Sequence, residues 1–439
     1  MKQEKTDLSP DVPTTAKGRL VKSKGARNFW TFIMVFGPGL IVMEADNDAG
    51  ALSSYTQAGG QYGLHLLWLL LLLLPVTYFI QEMVARLGIA TGKGHAAMIY
   101  QRFGKWWGRF SLFDLLLVNF LTLVTEFAAI SLAMSKLGLL PHIAVPLAAL
   151  GLIFMVMSGS YLSWERVTIF LCLLDLAWFV LAGASGAHIK EVAYNAFVPN
   201  IPPGGISVDL VFLVIAIVGT TIAPWQLFFQ QSCVADKRLR FLDLKWARLD
   251  TFIGAFFTVM VAGCMMLVGD IIHRHGIPYT DPAQLAVDLV PYLGEAGKTA
   301  LLLLMVNAAV LGTTAISLAS AWAYGEVRGW SHSLHTPVRE APGFYAVYAL
   351  CIIAAAGLVL IPNLPLQLII IGVQVLAGLI LPSAVIFLQL LLNDRELLGD
   401  EWVNKPWNNI INWSIIIVLF ILSLVLAVQV LLPNLFASH

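Results

Sequence analysis

The stretch Gly37–Gly50, GPGLIVMEADNDAG, interrupts a long apolar run that begins near Phe29, placing Glu44, Asp46, Asn47 and Asp48 between glycines. A single ionised side chain at the bilayer centre costs roughly 2.5–3.5 kcal/mol on insertion scales, so three acids within five residues are tolerable only beside a polar cavity or a bound cation. The stretch therefore reads as a helix broken at membrane depth, its freed carbonyls and carboxylates facing something positive. The competing reading puts the acids at a membrane edge, where water solvates them. Apolar sequence resumes after the break, and a second stretch described below echoes it; both favour the broken helix.

The rest of the chain supports a membrane reading. Of 439 residues, 59% are hydrophobic and 12% charged, with a mean hydropathy of +0.81, whereas soluble domains carry about 25% charged residues. The fold class is an all-α polytopic membrane protein. A net charge of zero offers no basis for nucleic-acid binding. Cys172, Cys233, Cys264 and Cys351 lie in separate apolar segments without paired spacing, which indicates neither a disulfide framework nor a thiolate metal site. The basic start, the apolar run and Ala49-Gly50-Ala51 mimic a signal peptide. However, the tail is nearly thirty residues long and the supposed cleavage region is acidic, so the run is kept as the first membrane helix.

Taking about 20 apolar residues per span, the sequence predicts eleven transmembrane segments: 29–60 (broken), 63–89, 111–136, 142–159, 166–185, 208–235 (broken), 250–272, 298–322, 342–361, 364–391 and 411–433. A cytoplasmic N-terminus leaves only Lys136, Lys190, Arg274 and Lys298 outside among the 26 Lys and Arg residues, so the positive-inside rule places the C-terminus externally. The expected organisation is a cytoplasmic tail, 1–27; a transporter core, 28–391; and the eleventh helix with an external C-terminus, 392–439. Residues 281–293 suggest a short amphipathic helix outside the membrane, and the ends 1–27 and 434–439 read as mobile tails.

The sixth segment repeats the peculiarity of the first. IVGTTIAPWQLFFQQS, Ile217–Ser232, puts Gly219, Thr220, Thr221 and Pro224 at mid-membrane, followed by Gln226, Gln230 and Gln231. Proline removes a backbone donor and clashes with the preceding turn, so a break is expected near Ile222–Pro224. A kinked helix without function is common, but breaks at positions one and six imply an inverted 5+5 repeat, about 28–185 against 208–391. In that architecture substrate and ion sites lie at the midplane between the breaks.

These residues resemble the NRAMP family of divalent-metal transporters from about Gly37 to Pro382. GPGLIV, the loop TGKGHAAMIYQRFG at Thr91–Gly104, VTEFAA at Val124–Ala129 and VQVLAGLILP at Val373–Pro382 carry the likeness. The resemblance implies a metal site made of Asp48, the backbone carbonyls of Ala45 and Thr220, and Gln374. Two of the family's ligands are replaced. Ala51 stands where the family has an asparagine, and Ala223 where it has a methionine whose thioether binds metal. Thioether and imidazole favour softer metals, whereas carboxylate, carbonyl and water suit Mg, Ca and Mn. Magnesium keeps several waters and is held through one or two carboxylates. The sulfur-free, roomier pocket resembles the NRAMP-related magnesium transporters.

The expected cargo is Mg2+, with Mn2+ as a second substrate; no cofactor is implied. The family's helix-6 histidines are replaced by Trp225 and Gln230, and of its helix-3 acid pair Glu126 remains while Ala129 does not, so proton coupling is not expected. Glu126 reads equally well as a neutral core residue or as part of the ion path, and Glu44, Asp46, Asp175 and Asn307 have no assigned role. The alternatives are a proton-coupled Mn2+/Fe2+ transporter, an amino-acid transporter of the same fold, a membrane metal sensor and an intramembrane aspartyl protease. The acid-rich break disfavours a carboxylate substrate, and no paired aspartate motif supports a protease. The protein is thus expected not to be an enzyme. Its expected partners are divalent metal ions and the lipid bilayer, as a monomer in a bacterial plasma membrane.

Overall fold

The computed structural model describes residues 32, 34–157 and 160–431, so the expected tails 1–27 and 434–439 lie outside the described residues. Helices α1 (Pro38–Glu44) and α2 (Ala49–Tyr62) form the broken first segment, followed by α3 (Leu67–Thr91), α4 (His95–Lys136) and α5 (Pro141–Met157). The fifth segment is itself divided into α6 (Tyr161–Leu174) and α7 (Ala177–Gly183), and α8 (Ile189–Phe197) is a short connector. The second half begins with the broken sixth segment, α9 (Val208–Thr221) and α10 (Pro224–Asp236), followed by α11 (Leu244–Arg274) and the short α12 (Pro282–Asp288). Then come α13 (Val290–Arg328), α14 (Pro342–Val359), α15 (Leu366–Leu391), α16 (Arg395–Trp402) and α17 (Pro406–Leu431). Among the described residues nine helical stretches are long and apolar enough to cross a membrane, while α5 is shorter. With the broken first segment these make eleven.

Packing follows the inverted repeat. Segment one lies on segment seven (α1 and α2 on α11), and its counterpart, segment six, lies on segment two (α10 on α3). Segments three and eight, α4 and α13, pair with each other at the centre. Such exchange is what a pseudo-twofold axis in the membrane plane requires.

Three expectations needed correction. The third segment is the later part of a 42-residue helix that begins at His95 and bends at Gly104, where φ is 85°. The Thr91–Gly104 loop therefore supplies the start of that helix. Glu326 of α13 holds it, accepting from the Ala97 N–H at 3.2 Å and from Ser232 Oγ at 2.6 Å. The amphipathic helix expected over 281–293 ends at Asp288, and the chain turns directly into α13. The division of the fifth segment was not foreseen. Asp175, Leu176, Trp178 and Phe179 each donate three residues back rather than four, a local tightening of the helix.

Candidate functional site

Gly37 turns with φ 138°, Pro38 occupies the first helical turn, and the N–H groups of Gly37, Gly39 and Leu40, unpaired within the helix, donate to the Asp250 carboxylate at 3.3, 2.7 and 3.2 Å. A helix N-terminus leaves such donors unpaired. A carboxylate 210 residues away in α11 satisfies them and pins the start of α1. After Glu44 the chain leaves the helix at Ala45 and re-enters at Ala49, with Asp48 as N-cap accepting from the Ala51 N–H at 2.9 Å.

In an uninterrupted helix the Ala49 N–H would bond the Ala45 carbonyl four residues back. Here it donates to Glu126 Oε2 in α4 at 3.1 Å, which leaves the Ala45 carbonyl free. At the sixth break α9 ends at Thr221 and α10 begins at Pro224. The Thr220 carbonyl would bond the N–H of residue 224, and proline has none. Both expected carbonyls are thus released, one by a competing carboxylate and one by a missing donor.

Side chains join the breaks. Tyr55 Oη and Thr221 Oγ1 are 2.7 Å apart, and Gln226 Nε2 donates to Asp46 Oδ1. Gln226 in turn accepts from Gln81 Nε2 at 2.8 Å. Gln374 in α15 reaches both sites: a Cβ on Gly50 would overlap its amide, and one on Gly219 would overlap its backbone carbonyl. A Cβ on Gly312 in α13 would lie 2.9 Å from both Asp48 Cβ and Glu126 Cδ, so glycine there lets the eighth segment close over these two acids.

Every residue of the expected set is buried: Asp48 is 2% exposed, Gln374 1% and Thr220 1%, with Ala45, Ala51 and Ala223 buried beside them. A surface cavity of about 760 Å³ is lined in part by Gln57, Gln61, Asp209, Asp281 and Gln367. Another of about 390 Å³ is lined in part by Lys93, Asp236, Glu326 and His332. Around the breaks, buried atoms without a partner include Glu44 Oε2, Asp46 Oδ2, Asn47 Oδ1, Glu126 Oε1, Thr220 Oγ1 and Gln374 Nε2. Five of these six are oxygens. Buried polar groups are normally paired, so this excess of free acceptors suits a cation with its water. Among the described residues no cluster of three or more His, Cys, Asp or Glu side chains stands at metal-binding range, which leaves backbone carbonyls and water to complete any coordination shell.

A family model described as natural resistance-associated macrophage protein-like matches residues 39–429. The chain belongs to the Nramp family. It is 25% identical over 429 residues to the divalent metal cation transporter MntH of Staphylococcus aureus strain Newman, covering 91% of each. The structure of the Eremococcus coleocola manganese transporter, bound to an aromatic bis-isothiourea compound, superposes with a TM-score of 0.75 at 17% identity, covering 100% of this chain and 93% of that one. MhsT in complex with L-phenylalanine superposes at 0.63 and 14% identity, covering 90% and 98%. These two likenesses establish the transporter fold, and the MhsT match shows why fold alone does not choose a substrate. The Nramp relatives are transporters rather than enzymes, in line with the expectation from sequence, and the chain is an integral membrane protein.

Sequence reasoning placed Glu126 in the third segment without deciding its role; the structure puts its carboxyl at the first break. Asp250, Gln81 and Thr258 were missed. Only Asp250 left a trace, as an acid just inside a span after a basic cluster, where it has no local partner.

Proposed function

We propose that this Nramp protein imports divalent cations by alternating access, with Mg2+ as its main cargo, Mn2+ as a second, and no coupled proton. Divalent metal cation transport follows from family membership. The finer reading is supported by one observation: side chains join the two breaks, Tyr55 to Thr221 and Gln226 to Asp46, with Asp48 capping α2, while Ala51 and Ala223 bring neither amide nor sulfur. In this reading Asp48 and the carbonyls of Ala45 and Thr220 contact the ion or its water. Gln374 closes the pocket against Gly50, and the two alanines leave volume for retained water. A monomer with its N-terminus in the cytoplasm of a bacterial cell and its C-terminus outside completes the proposal.

Proton coupling is the second reading, favoured by Glu126 Oε1, a buried acceptor without a partner beside Asp48. Uptake into proteoliposomes separates the two. Mg2+, Mn2+ and Ca2+ flux is measured under an imposed voltage and, separately, an imposed pH gradient. The proposal expects saturable Mg2+ flux driven by voltage, at about 2.3 kcal/mol per charge per 100 mV, and little response to pH. Stoichiometric acidification of the lumen would establish proton coupling instead, and absence of Mg2+ flux beside robust Mn2+ flux would overturn the cargo.

A further inference from the structure

Glu82, near the end of α3, accepts from two guanidinium groups: Arg86 Nε of the same helix at 3.2 Å, and Arg248 of α11, whose Nε and Nη2 donate at 2.9 and 2.7 Å. Arg86 also donates to the Trp402 carbonyl and to Asn404 Oδ1, both at 2.7 Å, which fastens the turn between α16 and α17 onto α3. One carboxylate cannot neutralise two guanidiniums, so this junction of segments two, seven and eleven carries surplus positive charge. A cavity of about 310 Å³ opens beside it, lined by all three of these side chains and by Lys405 and Glu401. Lys405 is exposed and forms no ion pair among the described residues, and the Arg248 side chain is 45% exposed. The other wall of the cavity is aromatic, made by Tyr78, Phe79 and Trp407. Phe79 meets Trp407 edge-on with centroids 5.9 Å apart, and Tyr78 meets Phe252 at 5.7 Å. Trp407 is 50% exposed. Arg86 lies one turn before α3 ends at Thr91, Arg248 one turn after α11 begins at Leu244, and Lys405 just before α17 begins at Pro406. The cations thus stand at the ends of the spanning helices, and Tyr78, Phe79 and Phe252 lie one to two turns further along them.

We propose that this pocket binds one anionic phospholipid, its phosphate held by Arg248 and Lys405 and the start of its acyl chains laid against Phe79 and Trp407. The wall divides as a phospholipid divides, with cations at headgroup level and aromatic rings beside them, where such rings favour the membrane interface. Basic pockets between spanning helices on the cytoplasmic side take anionic head groups, and the orientation proposed above puts this end of the helices in the cytoplasm. A soluble phosphate would meet the same cations but leave the aromatic wall unused, which favours the lipid. Arg86 has its donors engaged within the protein, so it positions Glu82 and the α16–α17 turn, while Arg248 and Lys405 supply the charge toward the ligand. The pocket lies apart from both breaks, and its occupancy does not depend on which ion the centre carries.

Trp407 supplies the readout. The purified full chain in phosphatidylcholine nanodiscs receives brominated phosphatidylglycerol or, in a matched sample, brominated phosphatidylcholine, and Trp407 emission is taken as the difference between wild type and Trp407→Phe. The anionic lipid should quench that emission at a mole fraction at least about tenfold lower than the zwitterionic one. Arg248→Gln and Lys405→Gln should each reduce this preference about fivefold, the factor that one cation near a membrane surface contributes toward anionic lipid. Equal quenching by the two lipids would overturn the site, and so would an undiminished preference in either folded variant. Inorganic phosphate that abolishes the preference at constant ionic strength would make the ligand a soluble anion and overturn the lipid. Should Arg248→Gln fail to fold, Lys405→Gln decides, because Lys405 is exposed and holds no ion pair whose loss could unfold the chain.

Discussion

The two helix breaks solve one problem by different means. At the sixth, the Thr220 carbonyl is freed covalently, because Pro224 has no N–H to return, and Ile222, Trp225 and Phe229 along this segment are fully buried. At the first, the Ala45 carbonyl is free only while Glu126 holds the Ala49 N–H, and polar groups from two other segments hold its surroundings: Thr258 and Asp250 of α11 bond the backbone of α1, and Gln226 of α10 bonds the Asp46 carboxylate. One break is permanent and carries no charged side chain, supplying shape and room. The other is conditional and carries the acids, so it supplies the charge and can respond to what is bound.

If that division is right, the largest effect comes from the charge. Asp48→Ala should lower metal flux by at least about 100-fold, equivalent to about 2.7 kcal/mol. The lost N-cap should cost about 1 kcal/mol of stability, so the variant should still elute as a folded species. Proteoliposome flux checked against thermal unfolding tests this, and a folded variant with wild-type Mg2+ flux would remove Asp48 from the centre.

The conditional character of the first break rests on Glu126. Glu126→Leu lets the Ala49 N–H return to the Ala45 carbonyl, and flux should fall about tenfold, equivalent to about 1.4 kcal/mol or roughly one hydrogen bond. Glu126→Gln keeps an acceptor for that N–H and should lose much less. Equal losses in the two variants would mean that the Glu126 charge, rather than its hold on the backbone, is what transport needs. The matching change at the permanent break is Pro224→Ala, which restores a donor opposite the Thr220 carbonyl. Its flux should drop less, about threefold or roughly 0.7 kcal/mol, because apolar packing still holds the bend. A larger loss for Pro224→Ala than for Glu126→Leu would reverse the assignment of roles.

Much of this was legible before any coordinates. The breaks at Ala45–Asp48 and Ile222–Ala223 show in the sequence because acids, glycine and proline are costly in a spanning helix and need a local reason to be there. The same physics explains what stayed hidden. Asp250 caps a helix start more than 200 residues away, and Gln226 meets Asp46 across 180 residues; no local periodicity encodes such pairings. The division at Asp175 was invisible because no proline or glycine marks it, only an acid in an apolar run, and the reason for that acid lies in Asn307 on another segment.

The smallest effect concerns which ion is carried, and it tests whether the alanines in the two breaks act together. Ala223 N-caps α10 at the permanent break, and Ala51 lies in the first turn of α2 at the conditional one. Ala223→Met with Ala51→Asn adds a thioether and an amide and fills the space between them. A thioether assists soft ions such as Cd2+ and contributes little to Mg2+, while the added side chains displace waters that Mg2+ gives up reluctantly. The ratio of Cd2+ to Mg2+ transport, read by competition, should rise about fivefold, equivalent to about 1 kcal/mol. Each single substitution should give less than the pair, because amide and sulfur would approach the ion from opposite breaks. An active double variant with an unaltered ratio would place selectivity in the surrounding scaffold. A full shift from Ala223→Met alone would make the permanent break the sole selector and leave the conditional one to supply charge only.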